Sequence, residues 1–155
     1  MQREFKGTQG FPNAYIMAPD GVKIELQEDS ALTTPAATHH LHYYVSDPQP
    51  IRSWYVEKLS FTPTHRGPHE SADVPGINLS FPPSKTPPTI GTKGRAIDHV
   101  GFEVKNLEAF CRKLEANGVK FDARYKKIPE LGLGLAFLTD PWGVYIELTE
   151  GLDAF

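Results

Sequence analysis

Three residues of this chain, His40, His99 and Glu147, have the types needed to hold a divalent ion. A neutral imidazole offers a nitrogen lone pair and a carboxylate offers an anionic oxygen. Two of the first and one of the second cover one side of an ion and leave positions open for a substrate. That set suits non-haem Fe(II) and also Mn(II), Zn(II) or Ni(II), so one divalent ion of this group is the expected cofactor. Chemistry at such an ion usually needs a proton acceptor nearby. His42, two residues beyond His40, and Glu103, on the same strand face as His99, are the candidate catalytic groups. Each has a plainer reading, His42 as an exposed or hydrogen-bonded imidazole and Glu103 as a solvated charge at a strand end. Tyr44, Asn78, Ser80 and Tyr145 share the faces of these residues and are the candidate substrate contacts.

These side chains are far apart in sequence, so paired elements must position them. Alternating residues over Thr38–Val45 and Ile97–Val104 predict two strands. Each is followed by a helix. The first opens after Asp47-Pro48 and carries Ile51, Trp54, Tyr55 and Leu59 on one face. The second starts at a predicted N-cap, Asn106, and carries Leu107, Phe110, Cys111 and Leu114, with Gly118 past its end. Later strands are expected at Phe61–Arg66, Gly76–Phe81, Lys120–Tyr125, Gly134–Thr139 and Val144–Thr149. Laid side by side, Ala37–Val45 covers Ala96–Val104 and His40 falls on His99, which makes an internal repeat of roughly fifty to sixty residues.

Side chains alternate across a strand. If Leu41, Tyr43 and Val45 pack beneath a helix, His40, His42 and Tyr44 point the other way. The same count leaves His99, Gly101 and Glu103 opposite Val100, Phe102 and Val104. It leaves Tyr145, Glu147 and Thr149 opposite Val144, Ile146 and Leu148, and Asn78 and Ser80 opposite Ile77, Leu79 and Phe81. Water covering that face would explain the polar residues without any site. The repeat offers the other explanation: equivalent histidines related by a pseudo-twofold converge if the sheets curve, and Glu147 joins them.

The 155 residues allow one domain, or two small modules sharing a core. A net charge of −3 without a basic face argues against nucleic acid. No apolar run approaches a membrane span, and Met1–Lys6 lacks the apolar core of a signal peptide. A soluble cytoplasmic protein with a small-molecule substrate is expected. Cys111, the single cysteine, lies on the apolar stripe of its helix and reads as a buried inert thiol.

Near the amino terminus, Ala14–Leu26 resembles the closing hairpin Ala136–Leu148. It looks like the tail of a further module, so either the chain is part of a longer protein or the hairpin pairs with something already present. Its edges suggest a homodimer. Glu25 mirrors Glu147 there but has no evident histidine partner, and is left outside the predicted ligand set.

The segments Ile97-Asp98-His99-Val100-Gly101-Phe102-Glu103-Val104 and Thr139-Asp140-Pro141-Trp142-Gly143-Val144-Tyr145-Ile146-Glu147-Leu148, with the copy starting Thr38-His39-His40-Leu41-His42, resemble the vicinal oxygen chelate superfamily. This group includes glyoxalase I, bleomycin-resistance proteins and extradiol dioxygenases. The resemblance implies an α+β fold: two βαβββ modules, residues 37–82 and 96–150 with a linker at 82–95, forming a curved mixed sheet around a metal-binding pocket. Residues 1–30 add the amino-terminal β-hairpin. It implies His40, His99 and Glu147 as ligands, with Asn78 at the fourth position that a carboxylate fills in glyoxalase I. The positions matching the extradiol catalytic groups hold Pro129-Glu130-Leu131 and Leu138 instead. A lyase, isomerase or dioxygenase acting on a substrate with neighbouring oxygens is therefore expected. The alternative is a metal-free protein of the same fold that sequesters an antibiotic or another small molecule.

Overall fold

A computed structural model describes residues 3–7 and 10–152, and the chain divides into two compact units, Met1–Pro87 and Pro88–Phe155. In the first unit, β1 (Arg3–Lys6), β2 (Pro12–Met17) and β3 (Lys23–Gln27) form an antiparallel sheet with β2 in the middle. The predicted hairpin is β2–β3, closed at Gly21, whose φ of 85° suits a residue without a Cβ. The strand β1 lies outside the sequence expectation, because the four residues Arg3-Glu4-Phe5-Lys6 are too few to carry a usable period.

The first module follows as β4 (His40–His42), α1 (Pro48–Leu59), β5 (Thr62–Arg66), β6 (His69–Val74) and β7 (Ile77–Ser80). Its strands lie in the order β4-β7-β6-β5, with β4 and β7 parallel and the other pairs antiparallel. The helix starts where expected. Asp47 accepts from the Gln49 N–H at 3.2 Å, and proline in the first turn lacks only a hydrogen that has no intrahelical partner. Ile51, Tyr55 and Leu59 are buried against Phe61, Leu79 and Phe81, while Trp54 is only half-buried. β4 is shorter than the predicted Thr38–Val45. Its partner β7 runs into Pro82-Pro83, which have no N–H for a ladder, and only an isolated bridge from Val45 to Pro83 continues it. β6 lies outside the sequence expectation because its buried residues, Ser71 and Ala72, are small, adjacent and so on opposite faces, which produces no apolar alternation.

The second unit repeats this plan with β8 (Val100–Glu103), α2 (Leu107–Ala116), β9 (Ala123–Ile128), a 3-10 turn at Pro129–Leu131, β10 (Leu133–Thr139) and β11 (Tyr145–Glu150). The order β8-β11-β10-β9, with β8 and β11 parallel, matches the first module strand for strand. The fold is thus α+β: two four-stranded mixed sheets, one helix each, plus an amino-terminal antiparallel sheet. β9 lies later than the predicted Lys120–Tyr125.

Leu107, Cys111 and Leu114 bury the helix face with Ala136, Leu138, Ile146 and Leu148. Asn106 precedes α2 in the left-handed region and makes no side-chain cap. Glu150 caps instead, accepting from the N–H groups of Asn106 at 2.9 Å and Leu107 at 3.2 Å. The turn before β11 is tied by Asp140, which accepts from the N–H groups of Trp142 and Val144. Gly91 and Thr92 dock on that turn: the Thr92 N–H donates to the Gly143 carbonyl, and the Tyr145 N–H donates to Thr92 Oγ1, both at 2.9 Å. Among the described residues no helix is long and apolar enough to cross a membrane.

Candidate metal centre

In the first unit, the parallel pairing of β4 and β7 sets His40 and His42 on one face, with ring centroids 4.7 Å apart. The His40 side chain is 8% exposed, and its Nε2 lies 3.3 Å from Glu25 Oε2 on β3. Glu25 therefore does have a histidine partner, contrary to the expectation that left it out of the ligand set. Its other oxygen accepts from Asn13 Nδ2 at 2.6 Å, which fixes the carboxylate towards β4. One donor atom from each of Glu25, His40 and His42 lies within 4.8 Å of the others. Adjacent ligand atoms on an ion with bonds near 2.1 Å stand roughly 3 Å apart, so the 3.3 Å contact has the spacing of two neighbouring ligands.

The charges of this cluster are set by burial and neighbours. Burial favours the uncharged form of Glu25, but the Asn13 hydrogen bond and His40 outweigh it and hold the carboxyl below its ordinary range. Burial, with the charge of Arg66, lowers His40 against the pull of Glu25. Burial, with His40 beside it, lowers His42 to about 4. At neutral pH the cluster thus presents two neutral imidazoles and one carboxylate, the protonation state a divalent ion requires. Arg66 on β5 adds a cation: its NH1 donates to His42 Nε2 at 3.2 Å. That hydrogen bond and a metal compete for one lone pair.

In the second unit His99 stands just ahead of β8, and its Nε2 lies 3.1 Å from Glu147 Oε2 on β11. Its Nδ1 lies 2.9 Å from Asp98 Oδ1. Asp98, held below the usual carboxylate range by the Gly94 N–H and then by His99, grips one ring nitrogen and aims the other at Glu147. Phe137 stacks on Tyr145 at 5.4 Å, and both rings meet His99 edge-on. Lys93 Nζ sits 4.3 Å above the Tyr145 ring.

The sequence-predicted residues therefore fall into two local sets, His40 with His42 in one unit and His99 with Glu147 in the other. Tyr44 is exposed, its ring 5.9 Å from His42. Asn78 has its amide engaged: it donates to Asp73 at 2.5 Å and accepts from the buried Ser80 at 2.7 Å.

Register revises which first-module residue corresponds to Glu147. Glu147 pairs with Gly101, two beyond His99, and Ser80 pairs with His42, two beyond His40. The counterpart is Ser80, not Asn78. A shift of two residues keeps the same face, which is why alternation could not separate them. With serine at that place the first module has no carboxylate of its own there, and Glu25 supplies one.

Both Glu103 oxygens are taken, one by Thr149 Oγ1 at 2.6 Å and the other by the N–H groups of Gly151 and Leu152. Burial acts to raise its pKa, but these donors together outweigh it and hold the carboxyl below its ordinary range. Cys111 is buried and its thiol is pushed up to about 11 by burial, with the Glu115 charge adding, so it is not a nucleophile at neutral pH. Asp98 and Arg66 escaped the sequence reading. Asp98 was visible as the neighbour of His99, whereas Arg66 reaches His42 only through the pairing of β5 and β6.

The match to known proteins follows the same segments. A family model described as Glyoxalase/Bleomycin resistance protein/Dioxygenase superfamily matches residues 37–148. The chain belongs to this superfamily. A curated relative is the lactoylglutathione lyase of Schizosaccharomyces pombe, 27% identical over 172 aligned residues, covering 88% of this chain and 54% of the relative. The chain thus spans about half the length of that relative. Among solved structures, TioX from Micromonospora sp. ML1 superposes with a TM-score of 0.60 at 20% identity, over 76% of this chain and 100% of that one. A glyoxalase family protein from Enterococcus faecalis gives a TM-score of 0.56 at 25% identity, over 72% and 95%. Members of this superfamily commonly bind a divalent metal and take small-molecule substrates. The donor set Glu25, His40 and His42 fits such an ion in charge and spacing.

Proposed function

We propose that this superfamily member is a divalent-metal-dependent enzyme of the lyase, isomerase or dioxygenase type, acting on a small substrate with neighbouring oxygens. One ion, Fe(II), Mn(II), Zn(II) or Ni(II), is held by Glu25, His40 and His42. The observation that carries the reading is the Glu25–His40–His42 cluster, with its neutral imidazoles and ionised carboxylate in ligand spacing. When bound, the ion supplies Lewis acidity to two chelating oxygens.

The chain's own residues do the rest. Asn13 and Tyr15 orient Glu25. Ser80 and Asp73 fix the Asn78 amide beside β4, leaving it to shape the substrate's surroundings together with Tyr44. Glu103, engaged at both oxygens, braces the end of β8 in this reading, so proton transfer falls to a carboxylate or imidazole of the ligand clusters.

A second assignment is favoured by its own observation. His99 Nε2 and Glu147 Oε2 are also in ligand spacing, with Asp98 orienting the ring as second-sphere carboxylates do for metal-bound histidines. In that assignment the ligands are His40, His99 and Glu147, as the family resemblance implies, and Tyr145 lines the substrate's place. Metal uptake by single variants separates the two.

The lactoylglutathione lyase relative makes thiol adducts of 2-oxoaldehydes the first substrates to test, followed by catechols, acyl thioesters and diketones. Turnover of one of them that disappears on chelation and returns with added metal supports the reading. Metal-independent ligand binding with no uptake of any of the four ions would instead favour the sequestering alternative.

In this reading residues 37–82 and 96–150 are the paired modules, and residues 1–30 carry the hairpin that contributes Glu25. A homodimer belongs to the same proposal. Met17, Ile24 and Leu26 are exposed on the hairpin, and β3 is an edge strand, which favours pairing with a second copy.

A further inference from the structure

Arg66 is 8% exposed, and none of the ion pairs among the described residues includes it. Its NH1 is spent on His42, and its Nε is buried without a hydrogen-bond partner among the described residues. Buried guanidinium groups are normally matched by a carboxylate or phosphate, whose two oxygens fit the planar fork. The carboxylate whose charge acts on Arg66 is Glu25, but its oxygens are directed to Asn13, Tyr15 and His40. The cation is therefore held next to the ligand cluster with its buried Nε donor unmatched.

Charge balance points the same way. A single carboxylate, Glu25, faces one guanidinium and a divalent ion here, which leaves net positive charges in a partly buried space. A neutral chelating substrate does not offset them. An anionic one does.

Resting on the Glu25–His40–His42 reading, we infer that Arg66 is a specificity-determining residue that selects substrates bearing a carboxylate beside the chelating oxygens. Drawing Arg66 onto that carboxylate also takes its hydrogen bond off His42 Nε2 and frees the lone pair for the ion. Anion and metal then assist each other, and the free protein holds the ion less tightly than the ligand set alone would allow.

The experiment compares wild type, Arg66→Gln and Arg66→Lys by calorimetry, using oxalate as the carboxylate-bearing chelator, catechol as the chelator without a carboxylate, and inorganic phosphate as the competing anion. Zn(II) content and the urea midpoint are measured on the same samples. Arg66→Gln is expected to keep or increase its Zn(II) affinity, to bind oxalate at least tenfold more weakly, and to bind catechol within threefold of wild type. Arg66→Lys should restore part of the oxalate affinity.

Unchanged oxalate binding in Arg66→Gln overturns the inference. So does phosphate binding that depends on Arg66 while oxalate binding does not. A joint loss of Zn(II), oxalate and catechol binding together with a lower urea midpoint also overturns it, since that marks a structural role. If wild type takes up no Zn(II), the metal reading fails, and the inference is judged on metal-free protein. There, oxalate binding that weakens in Arg66→Gln upholds the anion subsite, and equal or absent binding rejects it.

Discussion

Lowering the pH of the metal-free protein should destabilise it through His42. The ring has an ordinary pKa of 6.5 and is lowered to about 4 in the fold, first by burial and then by its neighbour His40. A protonated ring would also turn an N–H towards the Arg66 donor at 3.2 Å. Since the folded pKa is depressed, the unfolded chain takes up the proton first. The stability is complete above pH 6.5 and declines as pH falls towards 4. At pH 5 the full shift corresponds to about 2 kcal/mol, and because the ring is only partly buried, solvent screening reduces this to about 1 kcal/mol. His40 and His69 are lowered as well and add to the decline in the same direction. Urea unfolding at pH 7 and pH 5, on wild type and His42→Gln, isolates the His42 part: the pH-dependent loss should be smaller in the variant by about 1 kcal/mol. An identical loss in both proteins refutes the claim that His42 is held neutral by its surroundings.

Two further expectations follow from contacts within the second unit, and a third from the exposed edge of the amino-terminal hairpin. A Cβ on residue 91 would lie closer to the Gly143 carbonyl oxygen than real Cβ atoms approach, so Gly91→Ala should lower stability by about 1–3 kcal/mol, read as a shift in the urea midpoint. Glu150→Ala removes the side chain that caps the amino terminus of α2 and should cost about 1–2 kcal/mol by the same assay, whereas Asn106→Gly, which removes no side-chain cap and suits the left-handed backbone there, should cost far less. In light scattering at micromolar concentration the chain should have twice the mass of one copy, and Ile24→Glu with Leu26→Glu should halve it. A wild-type monomer under those conditions contradicts the edge-pairing proposal.

Periodicity and chain punctuation carried much of the fold. Asp47-Pro48 marks the start of α1 because both residues act locally, one as a cap and one as a pre-set backbone. The apolar stripes of α1 and α2 and the alternation in β10 and β11 are likewise local. What was hidden depends on long-range pairing. The Glu150 cap on α2 forms only once β11 lies beside β8, and Ser71 and Ala72 disclose β6 only after β5 and β7 flank it.

The site divides along the same line. His40, His42, His99 and Glu147 stand out by type and by the repeat. Glu25 was visible as the mirror of Glu147, but its partner His40 is reached only when the amino-terminal sheet meets β4. Ser80 and Asn78 lie on one face two residues apart, so only the observed register tells which of them corresponds to Glu147.

The central claim is that Glu25, His40 and His42 hold the ion. The direct test is equilibrium Zn(II) or Ni(II) affinity of wild type, Glu25→Gln, His42→Gln, His99→Gln and Glu147→Gln, with the metal content of each protein measured after dialysis. The account predicts about one ion per chain in wild type, a loss of roughly 10–100-fold or more in Glu25→Gln and His42→Gln, and near wild-type affinity in the other two. Full metal content in Glu25→Gln with loss in Glu147→Gln would contradict it and transfer the ion to the His99–Glu147 assignment.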